Sequence, residues 1–310
     1  MSQPPILILS AQATAYAAEL APQLEQPLWP VTRVPDRRRL ERIAVMLADP
    51  DLAARAVAHM PALRWLQSTW AGVTPLLKLP LQHYRLTNIK GVFGPLMSEY
   101  VFAHLLAHER QLLAHYAANQ RREWYPRRPG GLRGKTLGLL GVGSIGRHLA
   151  GTAAHFGLRV LGYSRSRTPL ATLAQHYGPG ELLPMLGQCD YLVASLPSTP
   201  QTRNLLDAAA LAATKPGAVL INVGRGNLLD EGALIDALAR GQLAAAVLDV
   251  LRQEPLPGDH PFWRTPNLHI TSHTAAPSLV ADIAPIFCAN FHRYRRGEAL
   301  QFEVDFQRGY

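Results

Sequence analysis

A glycine-patterned turn, set directly after an apolar strand and before a helix, limits the architecture of this chain more than any other segment. The stretch Leu137-Gly138-Leu139-Leu140-Gly141-Val142-Gly143-Ser144-Ile145-Gly146 reads as strand, turn and helix start. Gly141 permits the tight turn, Gly143 lets the backbone approach a pyrophosphate, and Gly146 lets helix and strand pack closely. Ile145, Leu149 and Phe156 fall on one face of the helix that follows. Ser144 and Ile145 open that helix, where free N–H groups and the positive dipole end favour phosphate. Alone the motif is weak; here a further strand, residues 159–163, completes a βαβ unit.

The same rhythm continues. Apolar runs at 136–140, 159–163, 191–196, 219–223, 245–248 and 268–270 read as six strands, the first five separated by helical segments. One such helix, 231–240, ends at Gly241, a residue suited to a C-terminal cap. Six strands in this order predict a doubly wound parallel sheet of Rossmann type. Before it, strands at 6–9, 43–47 and 63–67, with a helix at 51–59, predict a second parallel sheet. A long helix is expected from Ser98 as N-cap with Glu99 in its first turn, striped by Val101, Phe102, Leu105, Leu106, Leu112 and Leu113. Residues 124–131, rich in Pro and Gly, end it as a linker, and a last helix spans 278–296. The tail 302–306 is expected to return to the first domain.

The end of strand 159–163 bears on which dinucleotide is bound. An acid there bonds a ribose 2′-OH, but this chain has Ser164-Arg165-Ser166-Arg167-Thr168. Hydroxyls and guanidiniums suit a 2′-phosphate, so NADPH is expected, with NADH possible at lower affinity.

Three residues stand at or just past strand ends in the last third: Arg225, Glu254 and His273. A fixed cation, an acid and an imidazole are the parts needed to hold an anionic carbonyl compound and hand it a proton. The net charge of +9 comes almost wholly from arginine. Its clusters, at 37–39, 121–122, 127–128 and 293–296, are scattered and poorly interleaved with aromatics. They fit solvated faces and a mild field favouring anionic small molecules, with no nucleic-acid partner. Two cysteines give no disulfide framework or metal spacing, and no run approaches ~18 apolar residues. A cytoplasmic protein without membrane contact is expected.

These residues resemble the D-isomer-specific 2-hydroxyacid dehydrogenases. The resemblance rests on the Gly141–Gly146 loop, Ser195-Leu196-Pro197 with Thr202, Lys215-Pro216-Gly217-Ala218, Asn222-Val223-Gly224-Arg225-Gly226, Asp249, Glu254-Pro255-Leu256, and Pro266-Asn267-Leu268 leading to His273. Within the family the chain looks most like the bacterial glyoxylate/hydroxypyruvate reductases, through residues 68–73, 93–100 and the ending Arg308-Gly309-Tyr310.

The resemblance implies an α/β protein of two domains with a cleft between them. A Rossmann-type domain (98–276) is inserted in a flavodoxin-like substrate domain (1–97 and 277–310). It implies a homodimer, to which Trp124 either reaches across or contributes only packing. It assigns Leu196, Pro197, Thr202, Val223 and Gly224 to the cofactor with the glycine loop. Asp249 joins them on the nicotinamide side, with a structural role as the alternative. Trp70, Ala71 and Gly72 match the loop that holds the substrate carboxylate. Arg225 would bind the 2-oxo acid, His273 would be the general acid, and Glu254 would favour its protonated form. Two departures are visible: Leu251-Arg252 where an aromatic is common, and Ser272 where Pro is common, which is expected to loosen the loop. The alternatives are an NAD-preferring dehydrogenase of another substrate and a dinucleotide-binding regulator on the same fold. Zinc on His104, His108 and His115 lacks a converging acid, and no metal is expected.

Overall fold

The structure is a computed structural model that describes residues 4–309 apart from 168. Thr168 and Tyr310, which fall in two of the quoted motifs, lie outside the described residues. The chain forms two compact units, residues 1–92 with 278–310, and residues 93–277.

In the first unit the strands are β1 (Ile6–Leu9), β2 (Leu28–Val31), β3 (Val45–Ala48), β4 (Trp65–Ser68) and β5 (Arg85–Thr87). The helices between them are α1 (Ala13–Leu20), α2 (Arg37–Leu40), α3 (Pro50–Ala56) and α4 (Thr74–Leu77). All pairings are parallel, in the order β2-β1-β3-β4-β5, which is the flavodoxin-like arrangement. Strands β1, β3 and β4 are buried along their whole length, because helices cover both faces of a parallel sheet. Trp65 is fully buried and stacks on Phe287 at 5.1 Å, a contact worth about 0.5–1.5 kcal/mol beyond its buried area. The tail does return to this sheet: Val304 N–H donates to Leu86 O at 2.8 Å and Asn88 N–H to Phe302 O at 3.1 Å.

The second unit holds α5 (Gly94–Glu109), α6 (Leu112–Gln120), β6 (Thr136–Leu140), α7 (Ser144–His155), β7 (Arg159–Tyr163), β8 (Gln175–Tyr177), α8 (Leu182–Leu186) and β9 (Tyr191–Ala194). It continues through α9 (Ala208–Ala212), β10 (Ala218–Asn222), α10 (Glu231–Ala239), β11 (Leu243–Leu248) and β12 (Leu268–Ile270). The chain then re-enters the first unit as α11 (Val280–Arg295). Among the described residues the sheet has seven parallel strands ordered β12-β11-β10-β9-β6-β7-β8. The chain runs β6-β7-β8 to one side and resumes at β9 on the other. The switch point therefore lies between β6 and β9, where ligands bind past the strand ends.

Three sequence expectations need correction. The long helix starts at Gly94, not at Ser98, because Pro95 fits its first turn and the Ser98 hydroxyl is spent inside the helix on His148 Nδ1 at 2.7 Å. That helix is also two helices: Gln111 takes a left-handed φ of 53° and α6 restarts at Leu112. Leu112 and Leu113 consequently face outward, 41% and 63% exposed, instead of continuing the buried stripe. Finally, strands β2, β5 and β8 went unread. β2 carries Pro30, which is compatible with its edge position, while β5 and β8 are three residues each and mostly polar.

Candidate active site

The glycine loop closes as its residue types require. Gly141 has φ 109°, and a Cβ there would meet Ser195 Oγ at 2.9 Å. A Cβ on Gly146 would lie 2.1 Å from Gly141 O, so the first turn of α7 sits directly on the loop. A Cβ on Gly143 would meet nothing within 4 Å, and Gly143 provides no side-chain cap to α7. The result is an open space in front of an uncapped helix N-terminus, which suits a pyrophosphate. Across the switch point, Ser195 N–H donates to Leu140 O at 2.8 Å, placing Leu196 and Pro197 beside the loop. The Thr202 hydroxyl donates to Pro197 O at 2.7 Å and shapes the same turn. Gly224 follows buried Val223, and a Cβ there would lie 2.8 Å from Leu196 O.

At the end of β7 the groups expected for a 2′-phosphate divide. Ser164 Oγ donates to Ser166 O at 2.8 Å and lies 2.7 Å from His176 Nε2, so its one proton is already used within the turn. Arg167 pairs with Glu181, whose carboxylate also accepts from Gly178 N–H at 2.6 Å. Arg165 and Ser166 are exposed at the tip of the turn. Of the two guanidiniums expected at a phosphate, Arg167 is held by Glu181 in this structure. Glu181 stands far along the sequence and gave no signal there.

Arg225, Glu254 and His273 come together at the β10, β11 and β12 ends. Asn222, fully buried at the end of β10, accepts from Gly224 N–H through Oδ1 at 3.0 Å and donates through Nδ2 to Arg225 O at 3.0 Å. This turn fixes the Arg225 backbone; an Asn two residues before a Gly was the signal that could have found it. Arg225 is half-buried and its Nη1 donates to Gly224 O at 2.6 Å. Burial lowers its pKa from the ordinary guanidinium value, and the charge of Glu254 opposes that shift. Glu254 accepts from Leu251 N–H through Oε1 and from His273 Nδ1 through Oε2, both at 2.8 Å. A carboxylate partner makes Nδ1 the proton-bearing nitrogen, which leaves Nε2 for a substrate. Arg252, one of the departures noted above, ties this segment to Leu229 O and Asn204.

His273 has a φ of 56°, in the left-handed region that a residue with a Cβ seldom adopts. Asp249 holds it there. This residue, 2% exposed, accepts His273 N–H on its backbone oxygen at 2.9 Å. Its carboxylate accepts the Thr271 hydroxyl at 2.6 Å, Thr274 N–H at 2.8 Å and Ala275 N–H at 3.1 Å. Asp249, assigned above to the cofactor, thus spends its carboxylate on the His273 loop, which fits the structural alternative. The same bonds offset the freedom expected from Ser272.

In the first unit, Trp70 is 41% exposed in the loop after β4. Ser68 Oγ donates to Trp70 O at 2.8 Å, and Asn88 Nδ2 to Ala71 O at 2.9 Å, so the loop is fixed through its carbonyls. Among the described residues, the Ala71 and Gly72 N–H groups have no protein acceptor. Among the described residues, no group of three or more His, Cys, Asp or Glu side chains is placed to hold a metal ion. Nor is any described helix long and apolar enough to cross a membrane.

A doubly wound sheet with this loop, and an imidazole–carboxylate pair beside a half-buried arginine, define a dinucleotide-dependent oxidoreductase. The profile of the D-isomer specific 2-hydroxyacid dehydrogenase NAD binding domain matches residues 102–275. The glyoxylate/hydroxypyruvate reductase A of Serratia proteamaculans (strain 568) is 36% identical over 214 residues, covering 69% of this chain and 68% of that one. A family protein from Aeromonas salmonicida subsp. salmonicida A449 superposes with a TM-score of 0.95 at 43% identity, covering 98% of this chain and 100% of that one. An NADPH-dependent glyoxylate/hydroxypyruvate reductase from Sinorhizobium meliloti, solved with NADP and sulfate, gives 0.87 at 29% identity, covering 99% and 100%. The chain belongs to the D-isomer specific 2-hydroxyacid dehydrogenase family and is an NAD(P)-dependent enzyme of it.

Proposed function

We propose that the protein reduces small 2-oxo acids, glyoxylate and hydroxypyruvate, to 2-hydroxy acids with NADPH. The observation that carries this reading is the 2.8 Å contact of His273 Nδ1 with Glu254 in a loop whose backbone Asp249 fixes. The names of the Serratia and Sinorhizobium relatives support the substrate, and that of the latter supports the cofactor.

Bound NADPH supplies a hydride. Gly141, Gly143, Ser144, Ile145 and Gly146 would hold its pyrophosphate. Leu196, Pro197, Thr202, Val223 and Gly224 would line the rest, with Arg165 and Ser166 near the 2′-phosphate. Arg225 binds the substrate anion and stabilises negative charge developing on the carbonyl oxygen. His273 gives its Nε2 proton to that oxygen, while Glu254 keeps the ring oriented through Nδ1. The N–H groups of Ala71 and Gly72, with Trp70 beside them, are assigned to the substrate carboxylate. A homodimer is part of the proposal. Leu112, Leu113, Tyr116 and Trp124, the last 92% exposed, form a run of exposed apolar side chains suited to a second copy.

Steady-state reduction of a panel of 2-oxo acids with NADPH and with NADH tests this directly. Glyoxylate and hydroxypyruvate with NADPH should give the highest kcat/KM. Arg165→Ala should raise KM for NADPH far more than for NADH, and equal effects would remove the cofactor preference.

A further inference from the structure

A chain of two hydroxyls ties helix α5 to the loop that carries His273. Thr271 Oγ1 donates to Asp249 Oδ1 at 2.6 Å, which uses its only proton. Toward the Tyr100 hydroxyl, 2.7 Å away, Thr271 can then only accept, so Tyr100 donates. Burial pushes the Tyr100 pKa up to about 12, with Asp249 adding to the shift and the Thr271 bond opposing it. The phenol therefore keeps its proton across the working range. Its ring leans on His104 at 4.6 Å, and burial, with His269, lowers the pKa of that imidazole while Asp249 opposes the shift.

The loop has reason to need an outside anchor. The left-handed backbone at His273, φ 56°, is strained for a residue with a Cβ. Its bonds to Asp249 all come from β11 and the segment after β12 itself. Tyr100 enters from a separate helix. That helix has its own support: Val101, Phe102 and Leu105 are buried, Phe102 stacks on Phe156 at 5.0 Å, and Ser98 bonds His148. Loss of one hydroxyl from Tyr100 would leave α5 in place and release only the loop.

We propose that Tyr100 is a positioning residue for proton transfer, acting through Thr271 on the backbone that presents His273. The proposal rests on the reading of His273 as the acid. It deepens that reading by giving the imidazole loop a support from helix α5.

The test compares wild type, Tyr100→Phe, Thr271→Val, Thr271→Ser, the Tyr100→Phe/Thr271→Val pair and His273→Asn. The readouts are kcat for glyoxylate reduction, Kd for NADPH, and the alkaline limb of kcat/KM against pH. Tyr100→Phe should lower kcat about tenfold, as expected for one hydrogen bond felt in the transition state, with Kd for NADPH within about twofold. The alkaline limb should move, because a loosened imidazole is held less firmly on Glu254 Oε2. Thr271→Ser should retain activity and Thr271→Val should lose it. The double variant should match Thr271→Val alone, since Tyr100 acts through Thr271. An unchanged kcat and limb in Tyr100→Phe overturns the proposal, as do single losses that multiply in the pair. So does a kcat loss that comes with weakened NADPH binding and an unmoved limb, which marks a merely structural role. Wild-type turnover in His273→Asn would instead overturn the assignment of the acid itself, whatever Tyr100 does.

Discussion

Two glycines of one loop should fail in opposite ways when each is changed to alanine. At Gly146 the new Cβ would stand 2.1 Å from Gly141 O, against the 3.0 Å below which real contacts essentially never occur. About 0.9 Å of room must be made, and Gly141 cannot supply it: its N–H is bonded to Tyr163 O at 2.9 Å and its own Cβ direction is blocked by Ser195. Helix α7 must move, against the packing of Leu149, Ala150 and Ala153. Overpacking of this kind costs about 1–3 kcal/mol. That corresponds to a fall in Tm of roughly 2–12 °C for a unit of this size. The same shift draws the α7 N–H groups about 1 Å from the pyrophosphate, a misplacement that can cost on the order of 100-fold. At Gly143 the Cβ meets no protein atom, and the backbone, φ −79° and ψ −161°, is open to alanine. Gly143→Ala should therefore melt like wild type or slightly above it. Its methyl group would nevertheless occupy the space reserved for the pyrophosphate and weaken NADPH binding at least about tenfold. Thermal melts without ligand, so that binding does not mask stability, and titration of NADPH fluorescence separate the two effects. A Gly143→Ala variant that binds NADPH like wild type would refute the reasoning, as would a Gly146→Ala variant unchanged in both measurements.

Other expectations follow from the site. Arg225→Ala should lose about 100–1000-fold in kcat/KM for 2-oxo acids while Kd for NADPH stays within about twofold, measured by steady-state kinetics and titration. Under the proposed mechanism His273 is the proton donor in reduction, oriented by Glu254. Glu254→Gln removes the carboxylate that holds His273 Nδ1 at 2.8 Å and should lower kcat/KM for glyoxylate at least about tenfold with Kd for NADPH unchanged, and an unchanged kcat/KM would argue against the pair. Leu113→Glu, at a position 63% exposed, should convert a dimer to a monomer in sedimentation velocity, and a wild-type monomer would count against the proposed assembly.

The sequence was most legible where apolar runs are bounded by Gly, Pro or charge. Strands β1, β6, β7 and β12 were read to the residue, because each is a short run between turn signals. The flanks of other strands moved by one or two positions, as at β3 and β4, where apolar residues continue into the adjoining turns. Tertiary contacts decided what local pattern could not. Gln111 breaks a helix whose apolar stripe runs on without interruption, and Ser98 serves His148 although its type suits a cap. The trio proposed as catalytic could be named from residue type and strand-end position alone. Of its supports, Asp249 was named with a structural role as the alternative and Asn222 carried a turn signal, whereas Thr271 and Tyr100 act through contacts across a loop and a helix that spacing does not show. Glu181 on Arg167 is a partner of the same kind, fixed by the sheet edge and invisible to spacing.

The most direct measurement is the single-turnover rate of glyoxylate reduction on enzyme preloaded with NADPH, in wild type and in His273→Asn. Loss of the positioned acid should slow this step by about 100–10,000-fold while Kd for NADPH is unchanged. A rate within about threefold of wild type would contradict the account, because proton delivery would then not depend on His273.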